Sequence, residues 1–277
     1  PAISNRIAAL EDELGVRLFE RESGHSKLTS KGQELLPYAE KIVFMAQQLR
    51  KRADRGASLS GILRLGVSET IVHSWLPRFF RELHETAPNL DVEITVDVSG
   101  NLRSGLLDRS LDLAFLMGPV SEPKIENRAL CSFPLIWVAS PELNLPDRLL
   151  ALKELAEWPI ITYARNTKPF AEISQMDELP ARFYSSSSLA ACRQLTLDGI
   201  GISTLPLSVI KHELESGRLV QLNTSWSPSE LAFTASYSGA PFNPIAELAA
   251  NLGVMVSDEY DRTTHHENLS PDLKNDN

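Results

Sequence analysis

Residues 1–36, PAISNRIAALEDELGVRLFERESGHSKLTSKGQELL, constrain the fold more than any other stretch of this chain. Pro1 stands where a helix would begin, since proline at the first helical position loses no hydrogen bond. Ser4, Asn5 and Arg6 follow on the leading turns, while Ile7, Leu10 and Leu14 recur at helical spacing, so the pattern predicts a short helix with a buried back and a polar front. The apolar cluster LGVRLFER, a turn at Ser23-Gly24-His25, and KLT leading into a second helix complete a helix-plus-wing pattern. Ser, Asn and Arg beside a basic wing is how a winged helix-turn-helix presents donors and acceptors to the DNA major groove.

The run from Pro1 to Ile7, then Leu10-Glu11, Glu13-Leu14-Gly15, Leu18-Phe19-Glu20-Arg21, Leu28-Thr29 and Gly32, resembles the LysR-type transcriptional regulators in order and spacing. The resemblance extends over nearly the whole chain. It implies an α/β protein with a winged helix-turn-helix, a long linker helix and a two-lobed effector domain similar to periplasmic binding proteins. It further implies two helices and a Gln ahead of the position of Pro1. The expectation is therefore a fragment, whose native product begins upstream and whose winged helix-turn-helix is only partly represented.

From Thr29 to Arg55 the sequence reads as one long helix. Leu35, Ala39, Ile42, Ala46, Leu49 and Ala53 step by fours and threes, a heptad seam that calls for a partner helix. The segment Gly56-Ala57-Ser58-Leu59-Ser60-Gly61 reads as a hinge. A helix tethered by a hinge has no domain of its own to cover its stripe, which favours a dimer. The resemblance agrees, and implies a dimer of dimers.

After Gly61 strands and helices alternate. ILRLGV (62–67), VEITVDV (92–98), LDLAFLM (111–117), PIITY (159–163), ARFYS (181–185) and GIGISTLP (199–206) read as strands separated by helices. Such repeats build mostly parallel sheets with helices on both faces. A strand near 231–237 should return to the first unit, followed by a helix from about Asn243 to Val256. The expected organisation is a partial DNA-binding domain at 1–30, a linker helix and hinge at 31–60, and an effector domain at 61–257. Within the last, lobe I comprises 61–138 and 235–257 and lobe II 139–234. Residues 258–277, polar and without apolar periodicity, read as a disordered tail.

In open α/β folds ligands sit beyond the carboxyl ends of strands. That rule selects Ser68, Glu69 and Thr70 after the first strand, Ser99, Gly100 and Asn101 after the second, and Met117 and Gly118 after the third. From the second lobe it selects Tyr163, Arg165, Ser186, Ser187 and Thr204. These places also match where LysR-type effector domains hold their inducers. Serines and threonines before helices are equally good N-caps. Helix N-termini and Arg165 favour an anion and Glu69 an amine or hydroxyl, so the sequence leaves the effector's charge open. For DNA the candidates are Pro1, Ser4 and Asn5 for base edges or groove, and Arg6, Arg21 and Lys27 for phosphate or the minor groove.

Charge is compatible with this reading. The net charge is −9. Residues 1–56 hold ten Lys/Arg against eight Asp/Glu, a local +2 that leaves −11 for the remainder. An acidic protein can grip DNA when the facing surface is basic. Cys131 and Cys192 lie far apart among apolar neighbours and read as buried reduced thiols. His265-His266 lacks a third ligand, so no metal is expected. Ser121–Lys124 and Ser208–Lys211 fit S-x-x-K without its companion motifs, and Gly199-x-Gly201 lacks the third glycine of a dinucleotide loop. No enzyme and no cofactor is expected. No apolar run reaches the length of a membrane span. The expectation is a cytoplasmic regulator whose partners are double-stranded promoter DNA, a small-molecule effector and its own copies, with RNA polymerase as a further candidate. The alternative is a stand-alone metabolite-binding clamshell that does not bind DNA. It explains residues 61–257 equally well but not the first fifty-six.

Overall fold

The computed structural model describes residues 2–22, 25–53, 59–175 and 182–268. These divide into two compact units, one holding the first helix to the linker helix together with Ser238–Pro244, the other holding Leu59–Tyr237 and the residues from Ile245 onward.

In the first unit α1 (Ala2–Leu14) leads to an antiparallel hairpin, β1 (Phe19–Glu22) and β2 (His25–Leu28), with Phe19 opposite Leu28 and Glu20 opposite Lys27. Then α2 (Ser30–Ala53) begins. Thr29 caps it: its hydroxyl accepts from Gly32 N–H at 3.0 Å and donates to the Arg17 carbonyl at 2.7 Å, joining helix to wing. Gly32 is where α2 meets the strand entry, and a Cβ there would lie 2.2 Å from the Leu18 carbonyl oxygen. A second lock is the buried Glu11, whose carboxylate accepts from Leu18 N–H at 2.7 Å and Phe19 N–H at 3.0 Å. Those bonds, Phe19's first, together with the Arg17 charge, hold its carboxyl below the ordinary range.

The expected buried back of α1 is corrected. Ile7 is half-buried, but Leu10 and Leu14 are 44% and 49% exposed. Two helices and a hairpin are too few described elements to enclose a whole helix face. The turn at Ser23-Gly24 lies outside the described residues, as do 54–58 of the hinge. Ser60 and Gly61, expected in that hinge, already belong to a strand paired with Asn89 and Leu90.

The second unit holds two five-stranded sheets. The first lobe contains β3 (Ser60–Val67), α3 (Glu69–Val72), α4 (Leu76–Thr86), β4 (Asn89–Val96), α5 (Ser99–Leu107), β5 (Leu113–Met117) and β6 (Ile125–Phe133). The second contains β7 (Leu135–Ala139), α6 (Leu152–Leu155), β8 (Ile160–Tyr163), α7 (Lys168–Ser174), β9 (Phe183–Ser186), α8 (Leu189–Leu197), β10 (Ile202–Pro206), α9 (Leu207–Glu215) and β11 (Val220–Gln221). The chain returns to the first lobe with β12 (Leu231–Ser238) and α10 (Pro244–Asn268). Strand orders are β4-β3-β5-β12-β6 and β11-β7-β10-β8-β9. β3 runs parallel to β4 and β5, and β8 to β9 and β10; β12 and β7 enter antiparallel to β5 and β10.

Packing explains the lobes. Trp75, Leu76, Phe79 and Leu83 lie on one face of the α3–α4 segment and are buried against Leu63, Leu65 and Phe115. The rings of Trp75 and Phe79 stand 5.2 and 5.1 Å from that of Phe115, the second edge-on. In the second lobe successive residues face opposite sides: Trp137, Ile160 and Ile202 enter one core, Val138, Ile161 and Leu205 the other. A sheet buried on both faces reads as a continuous apolar run.

Three boundaries differ from expectation. β7 belongs to the second sheet, so lobe I ends before Leu135 rather than at 138, because β7 is an inner strand between β10 and β11. The return begins with Leu231 rather than at 235, since all of β12 lies in the first sheet. Finally, α10 continues through Asn268, so residues 258–268 are helical rather than disordered. Tyr260 packs its ring 6.0 Å from Phe133, and Glu259 pairs with Arg78, which anchors the extra turns. Residues 269–277 lie outside the described residues. So do the side chains of Leu49 and Ala53 from the heptad seam, and those of His265 and His266.

Candidate functional site

The carboxyl ends of β3, β5 and β8 converge on a cavity of about 60 Å³ between the lobes. Its first-lobe wall is Ser68, Glu69, Thr70, Asp97, Val98, Ser99 and Met117. Tyr163, Thr167, Pro169, Ser187 and Leu189 form the second-lobe wall, and Leu231 and Phe233 of β12 close the end.

Of the thirteen expected positions the fold brings seven to this cavity: Ser68, Glu69, Thr70, Ser99, Met117, Tyr163 and Ser187. Ser68 precedes α3 but makes no side-chain cap; its Oγ lies 3.4 Å from that of Ser99. Ser99 Oγ accepts from Met117 N–H at 2.9 Å, tying the start of α5 to the end of β5. Thr70 is 5% exposed, and among the described residues its hydroxyl has no hydrogen-bond partner. The Tyr163 hydroxyl is shielded from water and likewise unpartnered, and burial pushes its pKa well above the ordinary tyrosine value.

The other six take different places. Gly100 faces Asn166 of the second lobe, whose Nδ2 would be 3.7 Å from an added Cβ. Asn101 donates to Asp97 Oδ1 at 2.9 Å. Gly118 is pressed on β12, where a Cβ would lie 2.0 Å from Thr234 Oγ1. Arg165 stacks over the Phe170 ring at 5.4 Å. Ser186 accepts from Ser188 N–H at 3.1 Å, a turn contact. Thr204 is fully buried with an unpartnered hydroxyl and does not line the cavity.

Sequence reasoning missed Asp97, Val98, Thr167, Pro169, Leu189, Leu231 and Phe233. Thr167 lies four residues beyond the end of β8, past the reach of the strand-end rule. Nothing local marks Leu231 or Phe233, which reach the site only because β12 crosses back.

Both thiols are buried, and burial raises each to about 11, so neither is a thiolate near neutrality. On the first unit Ser4, Asn5 and Arg6 are exposed together on α1, and Lys27 is exposed on β2. Pro1 and the Arg21 side chain lie outside the described residues. Along α2 the apolar residues are bare: Ile42 is 69% exposed, Met45 62% and Val43 57%. Among the described residues no helix is long and apolar enough to cross a membrane.

Comparisons with known proteins bear on both units. Residues 1–33 match the family described as "Bacterial regulatory helix-turn-helix protein, lysR family", and residues 56–244 match the "LysR substrate binding domain". Among curated proteins, the chain is 25% identical over 221 residues to the HTH-type transcriptional regulator GltR of Bacillus subtilis (strain 168), covering 78% of this chain and 74% of that one. It is 28% identical over 256 residues to the RuBisCO operon transcriptional regulator of Allochromatium vinosum, covering 89% and 83%. Two solved structures share the fold. A Corynebacterium glutamicum OxyR C206 mutant superposes with TM-score 0.60 at 24% identity, over 97% of this chain and 87% of that one. Full-length BenM gives 0.58 at 22%, over 97% and 88%.

Proposed function

The chain belongs to the LysR family of DNA-binding transcriptional regulators with an effector-binding domain, and from that premise we propose that its effector is a small metabolite held between the two lobes. The observation that carries this reading is the interlobe cavity, where the buried hydroxyl of Tyr163 has no partner among the described residues and Thr70 lines the opposite wall. Polar groups left unpaired inside a protein cost stability, and a ligand that pairs them gains what the empty site lacks.

An effector acts only through different affinities for two arrangements of the lobes. Parting or closing them alters how effector domains pack, and the linker helices carry that change to the DNA-binding units. The bare apolar stripe on α2 supports pairing of two copies through this helix, and a dimer of dimers follows from the family's habit. In this reading Pro1, Ser4 and Asn5 contact base edges or the groove, and Arg6, Arg21 and Lys27 contact phosphates or the minor groove. The protein works in the cytoplasm, has no catalytic role, and meets RNA polymerase at the promoter. The relatives named above are transcriptional regulators rather than enzymes.

A thermal-shift screen of small metabolites followed by titration of each hit tests the site. Thr70→Val keeps shape and removes one hydroxyl, so it should weaken a true effector by about three- to tenfold. Hits that bind Thr70→Val as tightly as the wild type would place the effector elsewhere. For the DNA face, Ser4→Ala should weaken specific binding more than non-specific binding, and equal losses would remove Ser4 from the base-reading set.

A further inference from the structure

One side chain bridges the cleft. Glu69, at the start of α3 in the first lobe, extends its carboxylate to the start of α8 in the second. There it accepts from Leu189 N–H at 2.5 Å and Ala190 N–H at 3.0 Å, with Ser188 Oγ at 3.5 Å. The first N–H groups of a helix have no acceptor within the helix, and its dipole favours an anion at that end. The protein thus seats its own carboxylate on an anion site inside its cleft.

The remaining space of about 60 Å³ holds roughly two waters, whereas ligand pockets run to about 300–1,000 Å³. A metabolite must part the lobes to enter, and parting them lifts Glu69 from its seat. Two backbone donors then lack an acceptor, and the ligand that binds best is one that restores it. The Tyr163 hydroxyl, shielded from water, without a partner among the described residues and lining the same cavity, points independently to a ligand here. Among the described residues no Lys or Arg lines the cavity, while Glu69 and Asp97 do. That lining suits a single negative charge held by backbone N–H groups and opposes a second one.

We propose that the effector is a small monocarboxylic acid whose carboxylate takes the place of Glu69 at the N-terminus of α8, with Glu69 acting as a built-in competitor that keeps the effector-free cleft closed. This rests on the interlobe reading of the site. A competitor within the chain lowers apparent affinity by the fraction of time the seat is free. Removing it should raise affinity about tenfold, the factor matching one charge-assisted hydrogen bond.

The test is an amide-resonance titration of the whole isotope-labelled protein with butyrate, butyramide and butylammonium. In Glu69→Ala, butyrate should shift the Leu189 and Ala190 amides at about one-tenth the concentration needed in the wild type, and the neutral and cationic probes should not. Glu69→Gln keeps the shape, loses the charge, and carries the same test if Glu69→Ala does not fold. Equal midpoints in variant and wild type, no shift in the variants, or butyramide matching butyrate would each overturn the exchange. If butyramide or butylammonium moves Thr70 and Ser99 while Leu189 and Ala190 stay still, the exchange is wrong and the interlobe site stands. If every probe moves only amides outside the cleft, both fail.

Discussion

Replacing Tyr163 by Phe removes one oxygen from the wall of the cleft and should make the effector-free protein more stable. The hydroxyl is shielded from water and has no partner, a situation that costs about 1–3 kcal/mol. Burial holds the phenol neutral, so no charge is lost with it. The space left by the oxygen is smaller than a water and costs a few tenths of a kcal/mol at most. The net expectation is about 1 kcal/mol of stabilisation, which for a unit of this size raises Tm by about 2–4 °C. The same change should weaken effector binding by about three- to tenfold, because the oxygen that is a liability when the site is empty is a partner when it is filled. Thermal unfolding without ligand and titration with an effector from the screen read the two arms. A Tyr163→Phe protein that unfolds at lower temperature, or binds effector with unchanged affinity, refutes the reasoning. The hydroxyl would then be paired already, or face no ligand.

Two further perturbations probe the scaffold. Glu213 is 1% exposed and accepts from Arg193 and, at 2.9 Å, from Arg218. Burial pushes its carboxyl up, but the bonds and charges of the two arginines outweigh that and hold it below the ordinary range. Stability from this group is present above the unfolded carboxylate pKa of about 4.3 and lost as pH falls through the folded value. Glu213→Gln should cost about 2 kcal/mol at pH 7, less than a fully buried pair because both arginines are partly exposed. In urea unfolding the gap to wild type should narrow below about pH 4; a gap independent of pH would refute the charge argument. Gly32→Ala drives a Cβ to 2.2 Å from the Leu18 carbonyl oxygen, so α2 must shift, costing about 1–3 kcal/mol with loss of DNA binding. A variant that melts and binds like the wild type would show that the contact yields freely.

Local sequence determined the elements whose causes are local. The heptad steps from Leu35 to Ala46 and the Thr29 cap specify α2, since both act within one or two turns. Alternating apolar strands and helices specify two α/β lobes, because each segment carries its own period. About half of the positions that the strand-end rule selected line the cleft, because a strand's carboxyl end is visible wherever the strand is. Tertiary structure decided what depends on distant partners. Strand β6 alternates weakly and is made a strand by its place beside β12. The lobe boundary at Leu135 follows from β7 pairing with β10, some seventy residues on. The turns of α10 beyond Val256 exist because Tyr260 finds Phe133. Glu69 reads in sequence as a carboxylate that would repel an anion at the cleft mouth. Only when α8 is folded opposite does it become the occupant of an anion seat, because the N–H groups that receive it are donors of no particular residue type and leave no mark in the sequence.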